Sequence, residues 1–198
     1  EKGVEKLLDV LLDVVGDRGL LMPTFTRGYI DGYCDLDLNG SSTGVLTECF
    51  RKRKDTHQTL SAFFSFAVSD KVASEVTHLK PKHAWGEGSL YEWMEQRDVC
   101  FLLLGTHPTN CSYLHRMEWL VRDTINYRFD KKFSGTLIRE GLSFDLQETL
   151  FVRRLTPPVL QDFTVLLPIL EKAGMKIQVV NGISIASYHA RSILEYVL

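Results

Sequence analysis

Two residues that can move a proton, His115 and Glu118, lie three positions apart shortly after an apolar segment. Residues 101–105, four apolar residues and a glycine, predict a short strand buried on both faces, and the small and polar residues 106–112 predict the loop at its carboxyl end. Sites in open α/β sheets lie at such loops. If residues 113–122 form a helix, the Glu118 carboxylate shares a face with the His115 imidazole and can orient it or raise its basicity. The spacing therefore predicts a histidine base and the carboxylate that orients it, which are part of what general-base catalysis needs. An ordinary surface pair on a helix explains the same spacing equally well.

Helical and strand patterns alternate along the chain and define the elements that must position this pair. The predicted helices cover residues 4–15, 44–51, 61–76, 90–96, 113–122, 157–172 and 186–197. The predicted strands cover residues 20–25, 99–104, 125–133, 141–151 and 176–180, the third of these as a strand or an extended loop. Residues 26–43 are glycine-rich and polar and predict a long surface loop. The alternation predicts an α/β fold with a sheet flanked by helices, whose strand order the sequence does not reveal.

The composition favours one folded domain over residues 1–198. Of the 198 residues 44% are hydrophobic and 24% charged, which suffices for a substantial core. A net charge of -2 gives no footprint for nucleic acid. The four cysteines lack close regular spacing and predict free thiols in a reducing compartment, and no apolar run reaches the roughly 20 residues that cross a bilayer. We therefore expect a cytoplasmic protein without nucleic-acid or membrane partners.

Five sequence blocks, in the same order along the chain, resemble the aminoglycoside 3-N-acetyltransferase family. The most informative block consists of Leu-Leu-Gly, a short polar loop, a hydroxyl residue and His-x-x-Glu. In this chain the hydroxyl residue is Ser112, and His115 and Glu118 are the histidine and the glutamate. The other blocks are Gly-Asp-Arg-Gly-Leu-Leu-Met-Pro-Thr-Phe-Thr at 16–26, Ser-Thr-Gly-Val-Leu-Thr-Glu-Cys-Phe-Arg at 42–51, Thr-His-Gln-Thr-Leu-Ser at 56–61 and Gly-Glu-Gly-Ser-Leu at 86–90. The resemblance runs from about residue 7 to about residue 188 and matches loosely after residue 133.

The resemblance implies an antibiotic N-acetyltransferase-like α/β domain that transfers acetyl from acetyl-CoA directly to an amine of an aminoglycoside or amino sugar. It implies no metal, and we include a homodimer and a role in antibiotic resistance among the expectations. The family's opening strand has no counterpart before residue 1, so we expect that the N-terminal strand is missing. Either the chain is truncated there, or disordered residues are left out, or the resemblance does not hold at that end.

The resemblance also implies roles for individual residues. His115 is the expected general base that takes the proton of the amine, and Glu118 is expected to orient it. A histidine suits this task because its ordinary pKa lies near neutrality. Ser112 is the candidate donor to the negative charge that develops on the thioester oxygen. The residues expected to line the cofactor groove are Thr24, Arg51, His57 and Ser61.

Other interpretations of the groove residues stay open. Arg51 opens a basic run at residues 51–54, which is typical of a solvated face and would meet phosphates only in a CoA enzyme. His57 lies among hydroxyl residues, which suits a capping or core role equally well. The acidic loop residues available to select a cationic amine are Asp31, Asp35, Asp37 and Glu87.

Three alternatives compete with the acetyltransferase hypothesis. The family's proline, glycine and proline are replaced here by Gln58, Phe66 and Leu90, and the common Asn-Thr pair is replaced by Cys111 and Ser112. These departures motivate a degenerate, non-catalytic family member that serves as a binding module. Cys111 and His115, one helical turn apart, would also suit a thiol nucleophile with its base. His107, four residues before Cys111, would complete a three-ligand zinc site with them.

Overall fold

Helices and strands alternate along the chain, and the computed structural model describes residues 2–26 and 28–197. They group into two units: Glu1–Ala84 with Lys132–Thr149 form unit 1, and Trp85–Lys131 with Leu150–Leu198 form unit 2. The described strands are distributed over three sheets of three strands each. The predicted α/β class is confirmed, while the assignment of residues 1–198 to a single domain stays a prediction.

The bounds of the elements mostly follow the predicted order. The helices are α1 (Lys2–Val15), α2 (Val45–Arg51), α3 (Asp70–Val76), α4 (Leu90–Gln96), α5 (Tyr113–Leu120), α6 (Leu167–Lys172) and α7 (Ala190–Leu194). The strands are β1 (Leu21–Pro23), β2 (Tyr33–Asp35), β3 (Thr56–Gln58), β4 (Phe66–Ser69), β5 (Cys100–Leu104), β6 (Arg128–Arg139), β7 (Leu142–Arg153), β8 (Lys176–Val180) and β9 (Ile183–His189). Among residues 2–26 and 28–197, no helix combines the length and the hydropathy that a membrane span requires.

The antiparallel sheet β1–β4–β3 of unit 1 has β4 in its centre. Ala67 of β4 lies opposite Met22 on one side and Gln58 on the other. Helix α1 carries apolar residues at helical spacing, so one of its faces can be buried. Its Leu8 joins Met22, Ala67 and Phe50 of α2 in a buried cluster, which fixes both helices to the sheet.

Two predictions for unit 1 are wrong. The helix predicted over residues 61–76 begins only at α3, because Phe66–Ser69 is a strand with every residue buried. A short apolar run does not distinguish a central strand from a helix, and pairing on both sides decides the outcome here. The loop predicted over residues 26–43 contains β2, which pairs parallel with β6 and buries Cys34. Three residues are too few to show a strand period.

The sheet of unit 2 is antiparallel in the order β5–β9–β8. The predicted strand over residues 99–104 is confirmed as β5, but its burial on both faces is wrong. Within Cys100–Leu104, Leu103 alone is buried and Leu102 is 49% exposed. The reason is that β5 lies at an edge of its sheet, a position that apolar composition alone does not reveal.

The C-terminal helix predictions are correct only in part. The segment predicted as helix over residues 186–197 starts with β9, in which Ala186 and Tyr188 are buried alternately, and becomes helical in α7. The helix predicted over residues 157–172 is helical from Phe163, first as a 3₁₀ turn and then as α6. The two-residue alternation in β9 was present in the sequence, but the helical pattern that follows it concealed it.

A long hairpin joins β6 and β7, in agreement with the two strands predicted there. Its turn uses Glu140 and Gly141, whose φ angles are 53° and 69°. The Asp37 carboxylate accepts the N–H groups of both residues at 2.8 Å. This contact fixes the turn, and glycine suits the second position because it adopts positive φ without strain.

Candidate active site

The predicted His115–Glu118 pair is present on α5 in unit 2. Nδ1 of His115 lies 2.7 Å from Oε2 of Glu118. Helix α5 directs Leu114 and Met117 into the core, which leaves the His115 side chain 26% exposed and the Glu118 side chain 8% exposed. The three-residue spacing thus brings the two groups together as expected, with the carboxylate buried behind the ring.

Glu118 is the acceptor at the centre of a hydrogen-bond cluster. Tyr127 donates its hydroxyl to Oε1 at 2.6 Å, and Nε of Arg128 lies 3.1 Å from the same oxygen. Nη2 of Arg128 lies 2.9 Å from Oε2, and Nε2 of Gln161 lies 3.3 Å from it. Burial acts to raise the pKa of Glu118, but the hydrogen bonds from His115 and Tyr127 and the charge of Arg128 outweigh it and lower the pKa. Glu118 is therefore a carboxylate at neutral pH.

The cluster determines which ring nitrogen of His115 is available. A carboxylate oxygen at 2.7 Å has no proton to share, so Nδ1 must carry the hydrogen of this contact. Nε2 then keeps its lone pair, and no group of the described residues hydrogen-bonds it. Trp85 and Phe163 flank the ring, with centroid distances of 5.5 and 5.1 Å. Their positions restrict the ring while Nε2 remains available to accept a proton.

Ser112 lies at the N-terminal end of α5, one turn before His115. Its hydroxyl oxygen accepts a hydrogen bond from the Tyr91 hydroxyl at 2.9 Å. The hydroxyl hydrogen of Ser112 thus remains available for a further acceptor. This geometry is compatible with the predicted donor to an oxyanion, which stays a prediction.

A buried ion pair fixes α5 against α4. Nε and Nη2 of Arg116 lie 2.8 and 2.9 Å from the two carboxylate oxygens of Glu95, and Nη1 donates to the backbone carbonyl of Trp85. Arg116 and Glu95 are 4% and 8% exposed. The residue that follows His115 therefore anchors both the helix and the aromatic residue beside the imidazole.

The four residues predicted for the cofactor groove lie in unit 1, and each binds a different partner there. Arg51 forms a bidentate pair with Glu48 at 2.9 and 2.7 Å. His57 lies 2.6 Å from Asp70, with 43% of its side chain exposed. Two further contacts join Ser61 to Glu148 at 2.8 Å and Thr24 to Ser65 at 3.1 Å. Their predicted role in cofactor binding stays a prediction.

The thiol and zinc alternatives gain no geometric support in this structure. Burial raises the pKa of the Cys111 thiol to about 11, so the nucleophilic thiolate is scarce at neutral pH. Nδ1 of His107 lies 2.7 Å from the Thr109 hydroxyl. Within residues 2–26 and 28–197, no three His, Cys, Asp or Glu side chains lie close enough to bind one metal ion.

A cavity of about 590 Å³ in unit 2 borders the carboxylate side of the cluster. Glu118, Tyr127, Gln161 and Phe163 form its boundary with the His115 site, and most of its other walls are aliphatic. Its size is within the range of small-molecule sites, which combine apolar walls with a few polar groups.

Sequence reasoning missed three residues of the cluster. Tyr127 and Arg128 belong to the predicted strand or extended loop over residues 125–133, whose pattern assigns them no role, and Gln161 carries no signal. All three come from outside α5, so local spacing could not connect them to Glu118.

Comparison with known proteins defines the class of this chain. The sequence model of the family described as aminoglycoside 3-N-acetyltransferase matches residues 1–198. The chain therefore belongs to this family and is an acyltransferase of the aminoglycoside N-acetyltransferase type. A comparison with curated proteins gave no match.

Solved structures share the fold at low sequence identity. The YokD protein from Bacillus subtilis superposes with a TM-score of 0.75 at 16% identity, over 100% of this chain and 84% of that chain. AAC-IIIb in its binary complex with CoASH gives 0.77 at 15%, over 98% of this chain and 81% of that chain. AAC-VIa bound to sisomicin gives 0.73 at 18%, over 99% and 83%. These similarities confirm the predicted fold.

Proposed function

We propose that the chain transfers the acetyl group of acetyl-CoA to an amine of an aminoglycoside or amino sugar, with His115 as the general base. The single observation that carries the proposal is the 2.7 Å contact between Nδ1 of His115 and the Glu118 carboxylate. It leaves Nε2 as a base, and the negative charge of Glu118 stabilises the imidazolium that forms when the proton arrives.

In the proposed reaction the amine nitrogen attacks the thioester carbonyl, and Nε2 of His115 takes the proton that the nitrogen loses. The new C–N bond forms and the carbonyl oxygen acquires negative charge, which the Ser112 hydroxyl receives as a hydrogen-bond donor. Collapse of the intermediate breaks the C–S bond. The CoA sulfur leaves with the bonding electron pair and recovers the proton from His115. The products are an amide and CoASH.

The choice of substrates draws on the structural relatives. AAC-IIIb is known with CoASH and AAC-VIa with sisomicin, which supports acetyl-CoA as donor and an aminoglycoside as acceptor. For the cofactor groove, His57 has an open side chain, 43% exposed, whereas the Arg51 side chain is 8% exposed. Thr24 is 1% exposed and would form part of the groove wall. The free thiols fit a cytoplasmic enzyme.

The test measures thiol release from acetyl-CoA with a panel of aminoglycosides, including sisomicin, and amino sugars. The proposal expects acceptor-dependent CoASH release and acetyl-CoA binding in a calorimetric titration. Binding without release to any acceptor would favour the non-catalytic binding module. Absence of acetyl-CoA binding by the folded protein would contradict the proposal.

A further inference from the structure

We infer that Arg128 is a positioning residue, which holds the Glu118 carboxylate against Nδ1 of His115 and thereby keeps Nε2 as the proton-accepting nitrogen. The inference rests on the proposed role of His115 as the base. It adds a residue from another element, β6, to the pair on α5.

The contacts of Arg128 cover both oxygens of the carboxylate. Nε lies 3.1 Å from Oε1 and Nη2 lies 2.9 Å from Oε2 of Glu118, and both side chains are 8% exposed. A guanidinium that meets a carboxylate with two parallel N–H groups fixes its plane as well as its position. The carboxylate can therefore rotate little away from the His115 ring.

Arg128 also acts on the ring through its charge. Its Nη2 lies 3.2 Å from Nδ1 of His115, a distance at which the guanidinium cation repels a positively charged imidazolium but not the neutral ring. Arg128 and Glu118 together carry no net charge, so the resting imidazole faces a neutral pair. If Arg128 were absent, the buried carboxylate would favour the imidazolium, which is not a base.

The other groups around the ring do not supply this charge. Glu118 faces it from α5, and Tyr127 approaches the same carboxylate from the residue before β6. Gln161 is uncharged, and its Nε2 lies 3.2 Å from Nδ1. Trp85 and Phe163, which flank the ring, are also uncharged. Among the described residues that contact the ring or its carboxylate, Arg128 provides the positive charge.

A purely structural role for Arg128 is the main rival explanation. Its Nη1 donates to the carbonyl of Phe151 at 2.9 Å and so joins the two strands of the hairpin. Arg154 provides a matched control, because its Nε also donates to a backbone carbonyl, that of Asn126 at 3.0 Å, and its guanidinium lies over Phe129. Among the described residues, no carboxylate accepts a hydrogen bond from it.

The experiment compares Arg128→Gln, Arg128→Lys and Arg154→Gln with the unmodified protein. For Arg128→Gln we expect kcat to fall about 10- to 100-fold, as when an orienting partner of a functional imidazole is lost, with the KM for acetyl-CoA little changed. The acidic limb of kcat/KM should move to higher pH by about one unit, because a cation beside the ring is gone. Arg128→Lys should lose rate but keep the limb in place, since the charge remains. Arg154→Gln should change neither quantity.

A spectroscopic readout separates this inference from the proposed reaction. In ¹⁵N spectra of histidine-labelled protein above pH 8, we expect Nδ1 of His115 to carry the hydrogen, and Arg128→Gln should retain the imidazolium to higher pH. This measurement decides the inference even if no acceptor is ever acetylated. A hydrogen on Nε2 in the unmodified protein would overturn it. It would also be overturned if folded Arg128→Gln titrates like Arg154→Gln, or if Arg128→Gln does not fold and Arg128→Lys keeps full kcat.

Discussion

Two glutamates, Glu118 in unit 2 and Glu148 in unit 1, are buried almost equally, at 7% and 5% exposed, but their pKa values move in opposite directions. Glu148 accepts the Ser61 hydroxyl at 2.8 Å and the N–H of Ala62 at 3.0 Å. Burial raises its pKa, and these neutral donors offset the effect only in part. Burial acts to raise the pKa of Glu118 as well, but hydrogen bonds from His115 and Tyr127 and the charge of Arg128 outweigh it. The comparison teaches that the partners of a buried carboxylate, and not its exposure alone, distinguish one prepared for proton transfer from one that ties a loop to a strand.

The comparison is tested most strongly by His115→Ala. If the Glu118 cluster performs the chemistry, this change should lower kcat about 10²-fold or more, which is the usual contribution of a general base. Binding of acetyl-CoA, measured by calorimetry, should change little because the backbone of α5 is kept. Full activity in a correctly folded variant would remove the base from the scheme.

Glu118→Gln should have the next largest effect. We expect a fall in kcat of about 10-fold, because the amide can still accept from Nδ1 but carries no charge to stabilise the imidazolium. The acidic limb of the pH–rate profile should move to lower pH, opposite to the movement expected for Arg128→Gln. Steady-state kinetics across pH 5 to 9 measure both quantities. If the acidic limbs of Glu118→Gln and Arg128→Gln move in the same direction, the two changes cause a general loss of structure.

The corresponding change at Glu148 should affect stability rather than catalysis. A carboxyl group with a raised pKa in the folded state makes folding less favourable as pH rises from 4.5 through its folded value. Glu148→Gln removes this loss. The free energy of unfolding of the variant should therefore increase relative to that of the unmodified protein as pH rises. Urea unfolding at several pH values measures the difference, and kcat at saturating acetyl-CoA serves as the control that should remain unchanged.

Glu48, in the same unit, is the matched opposite case. The hydrogen bond from Arg51 is the main cause that lowers its pKa to about 2. Its stabilising contribution is therefore present above pH 4.5 and lost as pH falls toward 2. Glu48→Gln should make the protein less stable at neutral pH and less sensitive to acid. If Glu48→Gln and Glu148→Gln shift stability with the same dependence on pH, the partner-based explanation fails.

The smallest effect is expected for Cys111→Ala. Because burial raises the pKa of this thiol to about 11, it should be a poor nucleophile, and the variant should keep kcat within about twofold. Alkylation with iodoacetamide at pH 7.5, followed by mass spectrometry, should leave Cys111 unmodified in the folded protein. Loss of turnover in the variant together with an acylated Cys111 in the parent would restore the thiol mechanism.

The parts of the site that could be predicted from the sequence are those set by local geometry. His115 and Glu118 belong to one helix, so a three-residue spacing sufficed to pair them. Arg128 and Gln161 reach the same carboxylate from 10 and 43 residues away, a proximity that depends on the tertiary fold. Spacing within the sequence carries no information on such contacts.

The fold shows the same division. Helices with their own apolar period, such as α1, and isolated strands, such as β8, were predicted close to their bounds. Strands β4 and β9 were mistaken for helices, because apolar residues run directly from each strand into a following helix. The exposure of β5 depends on which strands flank it, and only the assembled sheet determines that.

The residues of the His115 cluster lie in two kinds of chain segment, regular elements and irregular ones. His115, Glu118 and Arg128 lie on a helix and a strand, whereas Gln161 precedes the 3₁₀ turn that begins at Phe163. Irregular segments accept substitutions, insertions and deletions more readily than regular elements do. Mutations can therefore change the residues that cover the imidazole while the helix and the strand preserve its proton-transfer partners. The protein can in this way adapt to new amine acceptors without a change in the groups that transfer the proton.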